Sequence, residues 1–227
     1  MEVKSQIKGF PLIKFKSSEI IESLRSGKIY LNSLKWFREY ENESGDMVVG
    51  DSYEGMLHIN DGELIIKETG EHQRLNDTIL PTVLSDSYVF CMTYIDPRND
   101  KFEFTDEQKE ELVQFGDTAL IILDSDAFIS RVKKAAEEKG YKIYFNNVHY
   151  YDETNDWADI FISLIPGTHN IAFWKRKTYR NQQEFRMVIP VERYTEDHIE
   201  LDIGNISDIS EVFTTQQVLT MQVKKAE

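Results

Sequence analysis

Short β-type segments outnumber helical ones along this chain, and the two kinds do not alternate. A doubly wound fold needs strand and helix in regular succession. The order here points instead to an α+β domain, with an antiparallel or mixed sheet core and a few short helices. Pro11–Lys16 alternates like a first strand. Ser17-Ser18-Glu19 then offers cap oxygens and first-turn negative charge to a helix with the stripe Ile20, Ile21 and Leu24, and Gly27 is its stop. Ile29–Ser33, containing Asn32, reads as a second short strand, and Leu34, Trp36, Phe37 and Tyr40 form a short helix or aromatic turn.

Glu41 to Gly55 carries Glu41, Glu43, Asp46, Asp51 and Glu54 between Gly45, Gly50 and Gly55, and is expected to be a long solvated acidic loop. Arms near Met56–Ile59 and Glu63–Lys67 flank Asn60-Asp61-Gly62, a strong turn signal. A longer strand lies within Val83–Tyr94. Thr105 and Gln108 have capping-box spacing, and Phe128, Ile129, Val132, Ala135 and Ala136 keep helical spacing behind a cap at Ser125 or Asp126. Strands are expected at Ala119–Leu123, Lys142–Tyr151 and Glu184–Val191, a short helix or strand at Trp157–Ile165, and mostly strand at Ile199–Ile203 and Glu211–Val223. Nothing splits the chain, so residues 1–227 are read as one domain.

Hydrophobic residues make up 41% of the chain, enough for a packed core and too many for disorder. The net charge of −14 repels duplex phosphates, which leaves nucleic acid only a local basic site. Cys91 is the sole cysteine, so neither an intrachain disulfide nor a cysteine zinc site can form; it sits in the apolar run Tyr88–Met92 and reads as core. His58, His72, His149, His169 and His198 show no metal-ligand spacing, and no phosphate loop or nucleophile elbow occurs. Met1–Lys8 lacks an apolar leader, and no apolar run reaches the ~18 residues a membrane helix needs. The expectation is a cytoplasmic protein with no membrane contact and no metal.

Chemistry concentrates in Phe173–Arg186. Lys175, Arg176, Lys177, Arg180 and Arg186 can form an anion site there, with Trp174, Tyr179 or Phe185 stacking on a base. Strand alternation puts Gln182, Glu184 and Arg186 on one face and Phe185, Met187 and Ile189 on the other. The polar set would line a cleft, where a carboxylate can stabilise a developing cation or accept a hydrogen bond from a nucleophile. A second group, Asp46, Asp51 and Glu54 with Asp152, Asp156 and Asp159, has no EF-hand spacing and reads as solvated.

Gln182-x-Glu184 at the head of a late strand resembles the (Q/E)-x-E signature of ADP-ribosyltransferases. The N-terminal order of strand, helix to Ser26, Gly27 and short strand is similar to the NAD-binding half of that family, of the nucleic-acid-modifying DarT type. The resemblance implies an ADP-ribosyltransferase-like fold, NAD as substrate, Glu184 as the catalytic carboxylate and Gln182 as the residue positioning acceptor or ribose. Lys14 or Lys16 would contact ribose or phosphate, and Asn32, Trp36 and Phe37 would complete the NAD site, an aromatic stacking on nicotinamide. A nucleic-acid or protein acceptor would approach the basic loop of Lys175, Arg176, Lys177, Tyr179 and Arg180, with Arg186 behind it. Free enzymes of this kind are often bacterial toxins or phage-defence effectors. The chain departs from the pattern in two places: a lysine replaces the usual first-strand arginine or histidine, and Ser85, Ser87 and Thr93 do not spell the middle Ser-Thr-Ser motif. Two other readings compete. One is a non-enzymatic acidic binding protein, an inhibitor or nucleic-acid mimic. The other is a metal-dependent nuclease combining Asp51 with Glu184, which lacks a lysine where Arg186 stands.

Overall fold

The computed structural model describes residues 9–81, 86–96, 98, 101–154 and 170–224. Ser85, Asp156, Asp159, His169 and the expected element at Trp157–Ile165 lie outside them. The chain is α+β, and its largest unit is an antiparallel sheet organised by one strand, β7 (Asp86–Tyr94). On one edge β7 pairs with β13 (Glu184–Val191), from Glu184↔Thr93 to Val191↔Asp86, and β10 (Tyr144–Asn147) lies beyond β13.

Two strands share the other edge of β7. β1 (Leu12–Lys16) holds one end through Leu12↔Tyr94 and Ile13↔Thr93, and β2 (Lys28–Ser33) holds the other through Asn32↔Val89 and Ser33↔Tyr88. From β1 the sheet continues to β9 (Thr118–Ile122) and β15 (Ser210–Thr214); from β2 it continues to β14 (His198–Asp202). The sheet is therefore forked. Between its branches the stretch Phe90–Met92 has no strand partner on that edge among the described residues.

Helices pack on both faces of the sheet, and one core cluster spans both branches. α1 (Ser18–Arg25) and α4 (Ser125–Glu138) bury Ile21, Leu24, Phe128 and Val132 against Phe90, Met92, Phe185, Met187 and Ile189. This is the apolar face that alternation in β13 predicts. α3 (Asp106–Leu112) and α5 (Thr215–Leu219) cover Ile13, Phe15, Ala119 and Ile121 with Leu112, Val218 and Leu219. α2 (Leu34–Ser44) seats Leu34 against Val89 and Val188. At the end of α1, Gly27 takes φ +106°, and a Cβ there would lie 2.3 Å from the Gly204 carbonyl oxygen, so only glycine fits. No helix among the described residues is long and apolar enough to cross a membrane.

Several local expectations change. The box at Thr105 and Gln108 forms reciprocally, but α4 is capped by Asp124, whose carboxylate accepts from the Ala127 amide at 2.9 Å. α2 runs through Glu41 and Glu43 because Ser33 caps its start and Gly45, at φ +71°, ends it. β3 (Met56–Ile59) pairs with β6 (Thr78–Pro81), while β4 (Gly62–Ile66) pairs with β5 (Glu71–Leu75). Asn60-Asp61-Gly62 thus joins two strands that are not partners, and the Asn60 amide bonds the Glu153 carbonyl instead of closing a hairpin. β11 (His149–Tyr151) runs parallel to β12 (Trp174–Arg176), and β8 (Lys101–Glu103) pairs with the terminal β16 (Gln222–Lys224). Before β16, a second capping box, Thr214 with Gln217, starts helix α5 where strand was expected. His58 is buried, stacked on Tyr53 at 4.4 Å and bonded to Asp77 at 2.8 Å and to Glu153.

Candidate functional site

The fork opens into a cleft whose interior holds about 110 Å³, and about 750 Å³ when the space out to its open mouth is counted. β1 supplies Lys14 and Lys16, β2 supplies Asn32, and the start of α2 supplies Trp36 and Phe37. Ser33 ends β2 and at once caps α2, its hydroxyl accepting from the Trp36 amide at 3.0 Å, which turns both aromatics into the cleft wall. β13 contributes Glu184 and Arg186, β12 contributes Lys175, and Gln182 arrives beside them.

Gln182 is delivered by an unexpected route. It ends a 3₁₀ helix over Lys177–Gln182, and Gln183, at φ +42°, turns the chain into β13. A non-glycine residue in that region costs on the order of 1 kcal/mol. The turn brings the Gln182 side chain to the Glu184 side of the strand. Its Oε1 accepts from Lys175 Nζ at 2.9 Å, and its Nε2 donates to the Val48 carbonyl at 3.0 Å and to Glu111 Oε1 at 2.8 Å. Neither contact partner stands out in the sequence, since Val48 acts through its backbone and Glu111 is one acid of a helical run.

Glu184 sits in a dense ionic network. Lys175 Nζ donates to its Oε1 at 2.7 Å, and Arg186 Nε donates to its Oε2 at 2.7 Å. Arg186 also makes a bidentate pair with Glu54, at 2.7 and 2.9 Å, and donates to the Ala172 carbonyl at 2.7 Å. Arg186 and Glu54 are only 1% and 2% exposed, so the pairing replaces hydration. Burial alone would push the Glu184 carboxyl up, but Arg186 and Lys175 outweigh it and hold the group well below the usual carboxylate range. Glu184 is therefore ionised at neutral pH. It can accept a hydrogen bond and stabilise positive charge, and it cannot donate a proton.

The expected basic patch is mostly internal. Lys175 is buried with its ammonium 4.2 Å from the Tyr179 ring centroid, and Arg176 pairs with Asp51 at 2.8 Å while packing over Tyr53. Tyr179 is buried, with its hydroxyl donating to the Gly50 carbonyl at 3.3 Å. Lys177 and Arg180 are exposed, and Lys177 lies 3.6 Å from Asp152. Phe185 belongs to the core, so it presents no free face to a base. The acids of the supposed solvated loop are the counter-ions: Asp51 and Glu54 are buried on Arg176 and Arg186. Among the described residues no three His, Cys, Asp or Glu side chains form a metal-holding group.

Among the described residues, four cations line the cleft, Lys14, Lys16, Lys175 and Arg186, against two carboxylates, Glu54 and Glu184. The carboxylates are bonded to Lys175 and Arg186, and neither ion-pairs with Lys14 or Lys16, although Asp46 acts on Lys16 from outside the cleft lining. Lys14 plugs the fork itself. Its Nζ donates to the Cys91 carbonyl at 2.5 Å, supplying the partner that no strand among the described residues provides, and lies 4.5 Å from the Phe90 ring centroid. Burial first, and then Lys16, lower the Lys14 pKa to about 8, against partial opposition from Glu184. Burial also lowers Lys16.

A stability signature follows. Between about pH 8 and 10.5, Lys14 is discharged in the folded protein and still protonated when unfolded, so the unfolded state binds more protons and stability rises with pH. Urea unfolding of wild type and Lys14→Met at rising pH isolates this contribution. Wild type is expected to gain about 1–2 kcal/mol relative to Lys14→Met between pH 8 and 10. Parallel curves would show that Lys14 is hydrated like a surface lysine.

A scan against protein-family models, a search of curated proteins and a search of solved structures each return no match for this chain.

Proposed function

We propose that the forked cleft binds NAD and that the chain is an ADP-ribosyltransferase-like enzyme acting on a protein or nucleic-acid acceptor. The observation that carries this reading is the meeting of Gln182 and an ionised Glu184 with two further cations, Lys14 and Lys16, in one cleft. On a chain of charge −14 those lysines focus a phosphate-bearing ligand into the fork while the remaining surface repels it. Trp36 and Phe37 add flat apolar walls suited to a pyridine ring.

In the reaction, the bond between C1′ of the ribose and the pyridinium nitrogen breaks, and its electron pair neutralises the ring nitrogen. The positive charge left on the sugar is stabilised by Glu184, whose oxygens retain lone pairs after bonding Lys175 and Arg186. An acceptor nucleophile then bonds C1′ and gives up its proton to solvent water. Gln182 is held by Lys175, Val48 and Glu111 against the same wall, which suits it to orienting the ribose or acceptor. The acidic-mimic alternative is less favoured, because Asp51 and Glu54 are internal ion-pair partners and the cleft is organised. The nuclease alternative loses Asp51 to Arg176.

The test is release of nicotinamide from NAD by the purified protein, followed by chromatography over hours. Slow release without acceptor and faster release on adding one is the expected result. Intact NAD after prolonged incubation with protein and cell extract would overturn the assignment.

A further inference from the structure

Two lysines reach the fork from one strand, two residues apart; among the described residues neither makes a direct ion pair with a carboxylate, and Asp46 acts on Lys16 only from a distance. Lys14 Nζ is fixed against the Cys91 carbonyl oxygen and the Phe90 ring, while Lys16 Nζ lies 5.7 Å from the Phe115 ring centroid. Desolvation and a like charge both disfavour an ammonium, so Lys14 has a larger share of free amine near neutrality than a surface lysine. The groups facing it are Lys16 on β1, Cys91 and Phe90 on β7, and Glu184 on β13. Glu184 acts in the opposite sense, but both of its oxygens are already engaged by Lys175 and Arg186. The Cys91 thiol is not a rival nucleophile, since burial and then Glu184 push it up to about 12.

We propose that Lys14 is a reactive amine that forms an imine with small aldehydes or ketones carrying a phosphate or carboxylate, with Lys16 holding the anionic group. The Lys14 Nζ lone pair attacks the carbonyl carbon and a carbon–nitrogen bond forms. The two amine protons leave with the carbonyl oxygen as water, and nothing is oxidised or reduced. The Cys91 carbonyl holds Nζ in the fork, whose open mouth admits the ligand. This inference shares Lys14 and Lys16 with the NAD reading but does not rest on NAD chemistry, since it makes no use of Gln182 or of Glu184 as a catalytic group.

Pyridoxal 5′-phosphate is a suitable probe, with borohydride to reduce the imine and peptide mapping to locate it. Lys14 is expected to be modified at least about tenfold faster than exposed lysines such as Lys177, with a rate that climbs with pH and levels near 8. Pyridoxal without phosphate should react about tenfold more slowly, and Lys16→Met should erase that difference, while also slowing both aldehydes somewhat because the like charge beside Lys14 is gone. Lys14→Arg keeps the charge and should lose the adduct. Label scattered over surface lysines with Lys14 untouched would overturn the proposal, as would equal rates for the two aldehydes on wild type. Nicotinamide release is assayed separately, so adduct formation without turnover supports this site and removes only the NAD reading.

Discussion

Arg186→Met is expected to lower the unfolding free energy by about 3–5 kcal/mol, a large share of what holds a domain together. The guanidinium is 1% exposed and donates to both Glu54 oxygens, to Glu184 and to the Ala172 carbonyl. Methionine fills much of the volume but leaves Glu54 buried without a cation, and a charge stranded in that way is far more expensive than the pair was favourable. The partner substitution separates the two effects. Glu54→Gln with Arg186→Met removes the stranded charge and should recover more than half of the loss, a coupling that a double-mutant cycle measures directly. A single-variant loss below about 1 kcal/mol would mean that water reaches the network.

Glu184→Gln is expected to reduce nicotinamide release about 10²–10³-fold, the scale seen when one preorganised electrostatic contact to a transition state is removed. The substitution is nearly isosteric but not innocuous. Glu184 lies between Lys175 and Arg186, so losing its charge leaves a buried cation in excess and should also cost about 2–4 kcal/mol of stability. Glu184→Gln combined with Lys175→Met restores the charge balance. Stability should largely return in that double variant while release stays low. If activity returns together with stability, Glu184 holds the fold and does not act on the substrate.

Both predictions depend on pairings that the sequence conceals. The alternation of Glu184 and Arg186 against Phe185, Met187 and Ile189 was legible, because period two is a local property of a strand. The position of Lys14 and Lys16 on the first strand, and of Trp36 and Phe37 just after the second, was legible for the same reason. The roles of Asp51 and Glu54 were not. Each lies in an acidic, glycine-punctuated run that reads as solvated, and the cations that bury them are 125 and 132 residues away. Lys175 and Arg176 are concealed in the same way: a basic run reads as a patch until its counter-ions are known. Gln182 reaches the cleft although it is not part of the strand, because a left-handed Gln183 ends the 3₁₀ turn, and no residue-type preference signals that geometry. The fork itself comes from two strands sharing one edge of β7, a long-range pairing that local periodicity does not encode.

The most direct test of the account is calorimetric titration of the wild-type protein with NAD, repeated with Lys16→Met. Saturable binding to one site per chain is expected, weakened about tenfold by Lys16→Met and further by added salt. Absence of binding heat up to millimolar NAD, in protein shown to be folded, would contradict it.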